Sequence, residues 1–463
     1  MSSVVIHSIL FVSNPMPSIR IIKTVIWLLQ ALLIWLLVHF LLHTFVTFGL
    51  GIDLSVVRAW KEIIILVLGG IAVRWLLRYR EMRQIWSFRT RNILVIACGV
   101  GVVASLLIHV TRIDTSLTGW VLAMRYDYLW FVLLLLGWLL TFLLDKKIDH
   151  LFRRYARVMK RCLVAAIVWR CIVAIKPGTL KLLGYNNYVF EGTIGEQPPA
   201  VYYTQINYGL PRNQFFFERP TTRWFWLTAF FPLFFLVFLR RRPMHETRWR
   251  WSIYGINVIL TFSRAARGTW LLVALCTLAV FSQMSWKRLL RRYGVPLCII
   301  FTFLLGIGRD QIMSRGYSNY GHITMIQRGR EMFLEKPILG RWGASVGPGS
   351  HRGWLAFNPE NQFLQVIIEF GIIGILPRLF LRVRCLRIGV KLRPHLSEQT
   401  VSNKIWSIST VVAFSLGMLS LTISGMVLHT FGDRMVVYPF MLLFGCAVGR
   451  RRRNSLLHSP RYI

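Results

Sequence analysis

The chain has 463 residues, of which 55% are apolar and only 16% charged, with 18 Trp and 31 Phe. A water-soluble domain carries charge on about a quarter of its residues, so the composition excludes an ordinary soluble enzyme and points to segments that cross a bilayer. The formal net charge of +38 fits a nucleic-acid binder or a set of basic cytoplasmic loops, and the placement of the charges decides between them.

Apolar runs long enough to be candidate spans occur at about 24–46, 63–77, 92–110, 127–144, 162–175, 223–239, 251–262, 269–284, 294–308, 362–377, 405–425 and 432–449. They predict an all-α integral membrane protein of about 12 transmembrane helices. The opening MSSVVIHSILFVSNPMP has no basic n-region and no small-residue cleavage site, so the first span is expected to act as the insertion signal. Seven cysteines lie in or beside apolar runs without a C-x-x-C pair, which argues against a disulfide framework or a zinc site.

With the N-terminus placed in the cytoplasm, 35 of the 56 Lys and Arg fall on cytoplasmic segments. Another 19 fall on the external side, span edges included, and Arg74 and Arg170 lie inside spans. Clusters such as RRYARVMKR (153–161), RRR (240–242), KRLLRR (287–292) and RRRR (450–453) all land on one side. A nucleic-acid surface would not alternate in step with hydropathy. The basic excess is therefore a topology signal, no nucleic-acid partner is expected, and both termini are placed in the cytoplasm.

Two external segments are long, at about 177–222 and 309–361, and neither is of low complexity. Loops of that length are usually functional or packed on the bundle. No P-loop, H-E-x-x-H or metal-binding D-x-D occurs, so no metal or other cofactor is expected. External arginines are the exception to the positive-inside bias and form the first candidate site. Arg212 and Arg219 close the first long loop, Arg264 and Arg267 lie in FSRAARGTWLL, and Arg328 lies in the second long loop. Guanidinium groups converging on one cavity would bind phosphate or diphosphate in bidentate fashion. Near the end of the second loop, AFNPENQFLQ puts Glu360 and Asn361 at the start of a helix. Glu360 is read either as complementing the helix dipole or as a general base. His322 and His351 are further candidates for contacts with donor or acceptor.

The order of these pieces resembles the O-antigen ligase and O-antigen polymerase superfamily: a span with SRAARGTWLL, a long external loop, then N-P-E-N-Q-F-L-Q before VIIEFGIIGIL. GHITMIQRGREMFLEKPILGRWGASVGPGS resembles that family's amphipathic helix followed by a Pro and a Gly-rich turn. AMRYDYLWF and RNQFFFERPTTRWFWL fit more loosely. The likeness covers about 90–449 and is most specific over 262–376.

The resemblance implies a GT-C-like, metal-independent membrane glycosyltransferase. Such proteins transfer a glycan from undecaprenyl diphosphate at the outer face of a bacterial plasma membrane to an acceptor hydroxyl, with inversion at the anomeric carbon. Arg212 or Arg219 and Arg264 or Arg267 would hold the diphosphate, and Glu360 with Asn361 would act on the acceptor. Ligases of this family use lipid A–core as acceptor and place a His where this chain has Glu360. Polymerases extend a second lipid-linked unit and often have an acidic residue there, so polymerase is the preferred reading and ligase the alternative. A lipid-linked oligosaccharide flippase is the rival of another class, but it would more naturally show paired halves and polar residues within spans.

Overall fold

The computed structural model describes residues 19–52, 55–78, 102–103, 121, 124–144, 147–176, 179–182, 220–238, 244–261, 263–281, 288, 316–341, 345–347, 357, 359, 361–392, 403–428, 430 and 433–457. Among these residues the secondary structure is helical and there is no strand. The principal helices in chain order are α1 (Ile19–Thr44), α2 (Ser55–Arg78), α3 (Leu129–Leu144), α4 (Lys147–Ile175), α5 (Pro220–Phe238) and α6 (Met244–Ile259). They are followed by α7 (Arg264–Phe281), α8 (Gly316–Glu335), α9 (Gln362–Leu392), α10 (Asn403–Gly425) and α11 (Arg434–Leu457).

Among the described residues, three stretches are long and apolar enough to cross a membrane: Ile19–His39, Gln362–Leu392 and Trp406–Gly425. Leu129–Leu144, Thr222–Phe238 and Ala265–Phe281 are shorter apolar helices. α3 reads LWFVLLLLGWLLTFLL and is apolar around its whole circumference. A helix of that kind has no polar face to turn to water and must be buried in protein or lipid.

α3 packs most closely against α11. A Cβ on Gly137 would overlap the Leu442 carbonyl, one on Gly445 would overlap the Leu134 carbonyl, and Gly449 sits against Trp138 and Thr141. Gly445 and Gly449 form a G-x-x-x-G pair, the spacing that lets two helix backbones approach directly. Thr141 Oγ1 donates to Gly137 O at 3.0 Å and lies 3.2 Å from Cys446 O. The pairing Leu134–Gly445 and Trp138–Gly449 ascends along both helices, so α3 and α11 run parallel.

α5 occupies the centre, packed on α10 and α7. Trp224, Phe230, Phe231 and Phe234 are fully buried there. Phe230 meets Phe440 of α11 at 5.5 Å between ring centres, edge to face, and Phe414 of α10 stacks on Phe444 at 5.9 Å. Each edge-to-face pair adds about 0.5–1.5 kcal/mol to the burial of its rings. α9 and α10 cross closely where Gly389 backs onto Ser415, whose Oγ donates to Cys385 O at 2.9 Å.

Two segments expected to lie between spans are helical. The basic run 153–161 belongs to α4, which starts at Lys147. Its other face buries Leu151, Phe152, Tyr155, Ala156 and Met159, the helical spacing of an amphipathic element. Hydropathy alone began the span at 162 because the basic face lowers the average. Likewise, the span expected to end at 377 continues as helix to Leu392.

Candidate functional site

α9 is two helices joined at a break. Gly371 has φ 61° and ψ −165°, a conformation that side-chain-bearing residues scarcely adopt. It separates a short helix (362–370) from a longer one (372–392). The backbone groups freed by the break are taken up by the turn that follows α8. Ile372 N donates to Pro337 O at 2.9 Å, Ile373 N to Ile338 O at 3.3 Å, and Arg341 N to Ile368 O at 2.8 Å. Gly340, with φ 76°, backs onto Glu369 and Gly371, and a Cβ on either glycine would strike the facing backbone. On α8, Gly329 makes room for Leu364, while Met332, Val346, Phe357 and Ile368 form a small core beneath. The second long segment is thus bolted to the break by three backbone hydrogen bonds and a shared apolar cluster.

The start of α9 is fixed by Asn361. Its Oδ1 accepts from Phe363 N at 2.9 Å and Leu364 N at 3.0 Å, and its Nδ2 donates to Met426 O at 2.8 Å. Asn361 is therefore the N-cap of α9 and ties that end to the segment just beyond α10. This capping role belongs to the residue that sequence reasoning paired with Glu360 in catalysis. Glu360 itself, next in the chain before the cap, lies outside the described residues.

Just past the break is a cluster that sequence reasoning missed. Asp127, Glu369, Arg378 and Arg382 are each at most 5% exposed. Arg378 Nη2 lies 3.9 Å from Asp127 Oδ1, the Asp127 and Glu369 carboxyls neighbour one another, and Gln365 Nε2 donates to Glu369 Oε2 at 3.2 Å. The Arg378 guanidinium sits 4.6 Å from the ring centres of both Tyr128 and Phe370, and that of Arg382 sits 4.4 Å from Phe363. The ε and both η nitrogens of Arg378 are buried without a hydrogen-bond acceptor. Charges held this far from water cost several kcal/mol each unless paired, so a cluster of four in a largely apolar bundle marks a site. Two signals were available in the sequence: Arg378 and Arg382 are four apart in an apolar run, and acidic residues number only 18.

A second polar network adjoins through the segment Arg125–Tyr128. Trp60 Nε1 donates to His39 Nδ1 at 3.0 Å, and Lys61 Nζ lies 3.2 Å from His39 Nε2 and 3.6 Å from Glu62. Arg125 pairs with Glu62, and Arg434 donates to the Tyr126 hydroxyl at 3.3 Å. Successive pairs of residues in AMRYDYLWF thus serve different clusters: Arg125 and Tyr126 face α2 and α11, while Asp127 and Tyr128 face α9.

Among the other expected residues, Ser263 caps α7, its Oγ accepting from Ala266 N at 3.3 Å, which puts Arg264 and Arg267 in the first turn. Cations there oppose the helix dipole and are better explained by a bound anion. Arg267 is half-buried and its Nε has no hydrogen-bond partner; nothing is described of the Arg264 side chain. Arg328 is exposed, 5.1 Å from the Phe357 ring, and His322 lies half-buried on α8. Arg212, Arg219 and His351 lie outside the described residues. α7 and α9 do not pack on each other closely; both pack on α10. No protein-family model matches this sequence, and no curated protein matches it significantly.

Proposed function

We propose that the chain is a metal-independent, inverting membrane glycosyltransferase that takes a glycan from a polyprenyl diphosphate and adds it to an acceptor hydroxyl at the outer face of a bacterial plasma membrane. The observation that carries this reading is the break at Gly371. There the second long segment is anchored one short helix (362–370) from the Asn361 cap, next to a buried arginine–carboxylate cluster. The resemblance of 262–376 to O-antigen polymerases and ligases supplies the reaction class, and the acidic residue at 360 favours polymerisation over ligation to lipid A–core.

The twelve-span arrangement takes its cytoplasmic termini from the charge partition, and the helix directions are compatible with it. Parallel α3 and α11 correspond to the fourth and twelfth runs, which must cross in the same direction. Residues 372–392 make a helix about 30 Å long, the thickness of the hydrocarbon, with Arg384, Arg387 and Lys391 in its cytoplasmic half. The short helix 362–370 is then left at the outer surface, and Arg378 and Arg382 move from the cytoplasmic side, where hydropathy put them, into the outer half of the bilayer. The remaining cytoplasmic segments still hold the majority of Lys and Arg.

In the reaction, the acceptor oxygen attacks the anomeric carbon while the bond from that carbon to the phosphate oxygen breaks. Glu360 takes the hydroxyl proton, and the lipid diphosphate departs carrying the electron pair. Arg264 and Arg267, with Arg212 or Arg219, stabilise the charge that develops on it. The test is Glu360→Gln in purified protein. Loss of a general base lowers turnover by about 10²–10⁴ while donor affinity hardly changes. If turnover stays near normal, Glu360 is not the base. Arg264→Lys with Arg267→Lys should weaken donor binding, because an ammonium lacks the planar fork.

A further inference from the structure

α8 carries more apolar surface than its contact with α9 uses. Met325, Gly329 and Met332 face α9, and Arg328, Glu331 and Glu335 lie on a polar side. A third face, spaced three and four residues apart, holds Tyr320, Ile323, Gln327, Arg330 and Leu334, with Ile326 beside it. Tyr320 is 71% exposed, Ile323 55% and Leu334 59%. The stripe does not end with the helix. Ile338 and Leu339 in the following turn are 63% and 48% exposed, and the hydrogen bond from Ile373 N to Ile338 O joins them to the exposed Ile372, Ile373 and Leu376 of α9. α9 is one of the helices long and apolar enough to cross a membrane, so the face that continues onto α8 is the one it would show to acyl chains.

We propose that α8 lies in the lipid headgroup layer, with the Tyr320–Ile323–Ile326–Leu334 face turned into the phospholipid. A helix with a separate apolar stripe and charged residues on its other side suits that boundary, and Arg330 within the stripe reaches phosphate on its flexible stem. The helix then works as a strap: one face holds the break in α9 and another rests on the bilayer, which keeps the site at the depth of lipid phosphates. This placement rests on the membrane reading above but on no step of the chemistry.

Site-specific photo-crosslinking in native membranes tests it. A photoreactive phenylalanine derivative is placed at Ile323, Ile326 or Glu331 of the full chain, and adducts are identified by mass. Phospholipid adducts several-fold more abundant at 323 and 326 than at 331 are expected. Equal lipid labelling at all three positions overturns the proposal, as do adducts at 323 and 326 to the chain's own residues 183–219. Adducts with a polyprenyl lipid alone also overturn it, since the face would then be a carrier site. Because the readout needs no turnover, loss of the transferase reading and loss of this proposal are separable.

Discussion

Along the seam between α3 and α11 the backbones meet through Gly137, Gly445 and Gly449, and the Thr141 hydroxyl is spent on carbonyls of the two helices. At the α9 break, in the same bundle, glycine serves a different end: Gly371 and Gly340 open the helix, and four charged side chains fill the space beyond. The first region is an economical way to hold two helices together in an apolar solvent. The second is costly, since each buried charge must recover its lost hydration from partners. Stability accounts for the seam completely and for the break poorly, which is the physical ground for placing function at the break.

The largest effect should come from Asp127→Ala, which strips Arg378 of its nearest carboxylate. A buried ion left in that way costs about 3–5 kcal/mol, read as a shift in denaturant-titrated unfolding of the purified protein. The double change Asp127→Ala with Arg378→Leu should recover much of that loss, because an apolar pair leaves no stranded charge. A cost under about 1 kcal/mol for the single variant would show that water already reaches Arg378 and that the cluster is not dry.

At the seam, Gly445→Ala drives a methyl into the Leu134 carbonyl, which has no rotamer to escape into. We expect about 3 kcal/mol, the upper end for overpacking, measured in the same titration. Transfer activity per folded molecule should be unchanged. If activity falls further than unfolding explains, the seam is not merely structural and the contrast fails.

Gly371→Ala should cost about 2 kcal/mol for its forbidden backbone. It should also disturb the hydrogen bonds to Pro337 and Ile338, so transfer measured well below the melting temperature should fall more than stability does. Equal, proportionate losses would make the break a packing detail.

The smallest effect is expected at the cap. Asn361→Ala should lower stability by about 1 kcal/mol, and Asn361→Asp should keep most of it because a carboxylate still accepts from Phe363 N and Leu364 N. Thermal melting of the two variants checks the ranking.

These contrasts also mark what could be read from the residues alone. The apolar runs at 127–144, 223–239 and 405–425 correspond to α3, α5 and α10 within a few residues, because strongly apolar helices leave a clear trace, while α11 begins near the run at 432–449 and continues through the arginines to Leu457. The Asn361 start of α9 was legible for a related reason, since Pro359 and a capping amide are local signals. The Asp127–Glu369–Arg378 cluster was not legible, because its members come from segments far apart in the chain. Averaging over a hydropathy window reads Arg378 and Arg382 as the end of a span. The break at Gly371 begins a separate helix, 372–392, and both arginines lie inside that helix rather than past its end.

The central claim is tested most directly with the purified protein in liposomes, supplied with polyprenyl-diphosphate-linked glycan units, without nucleotide and with divalent metal chelated. A polymerase yields longer glycans still on lipid carrier, with free polyprenyl diphosphate released in proportion to each unit added, and that is the expected result. Glycans of unchanged length that appear on the opposite side of the bilayer would contradict it and make the chain a transporter.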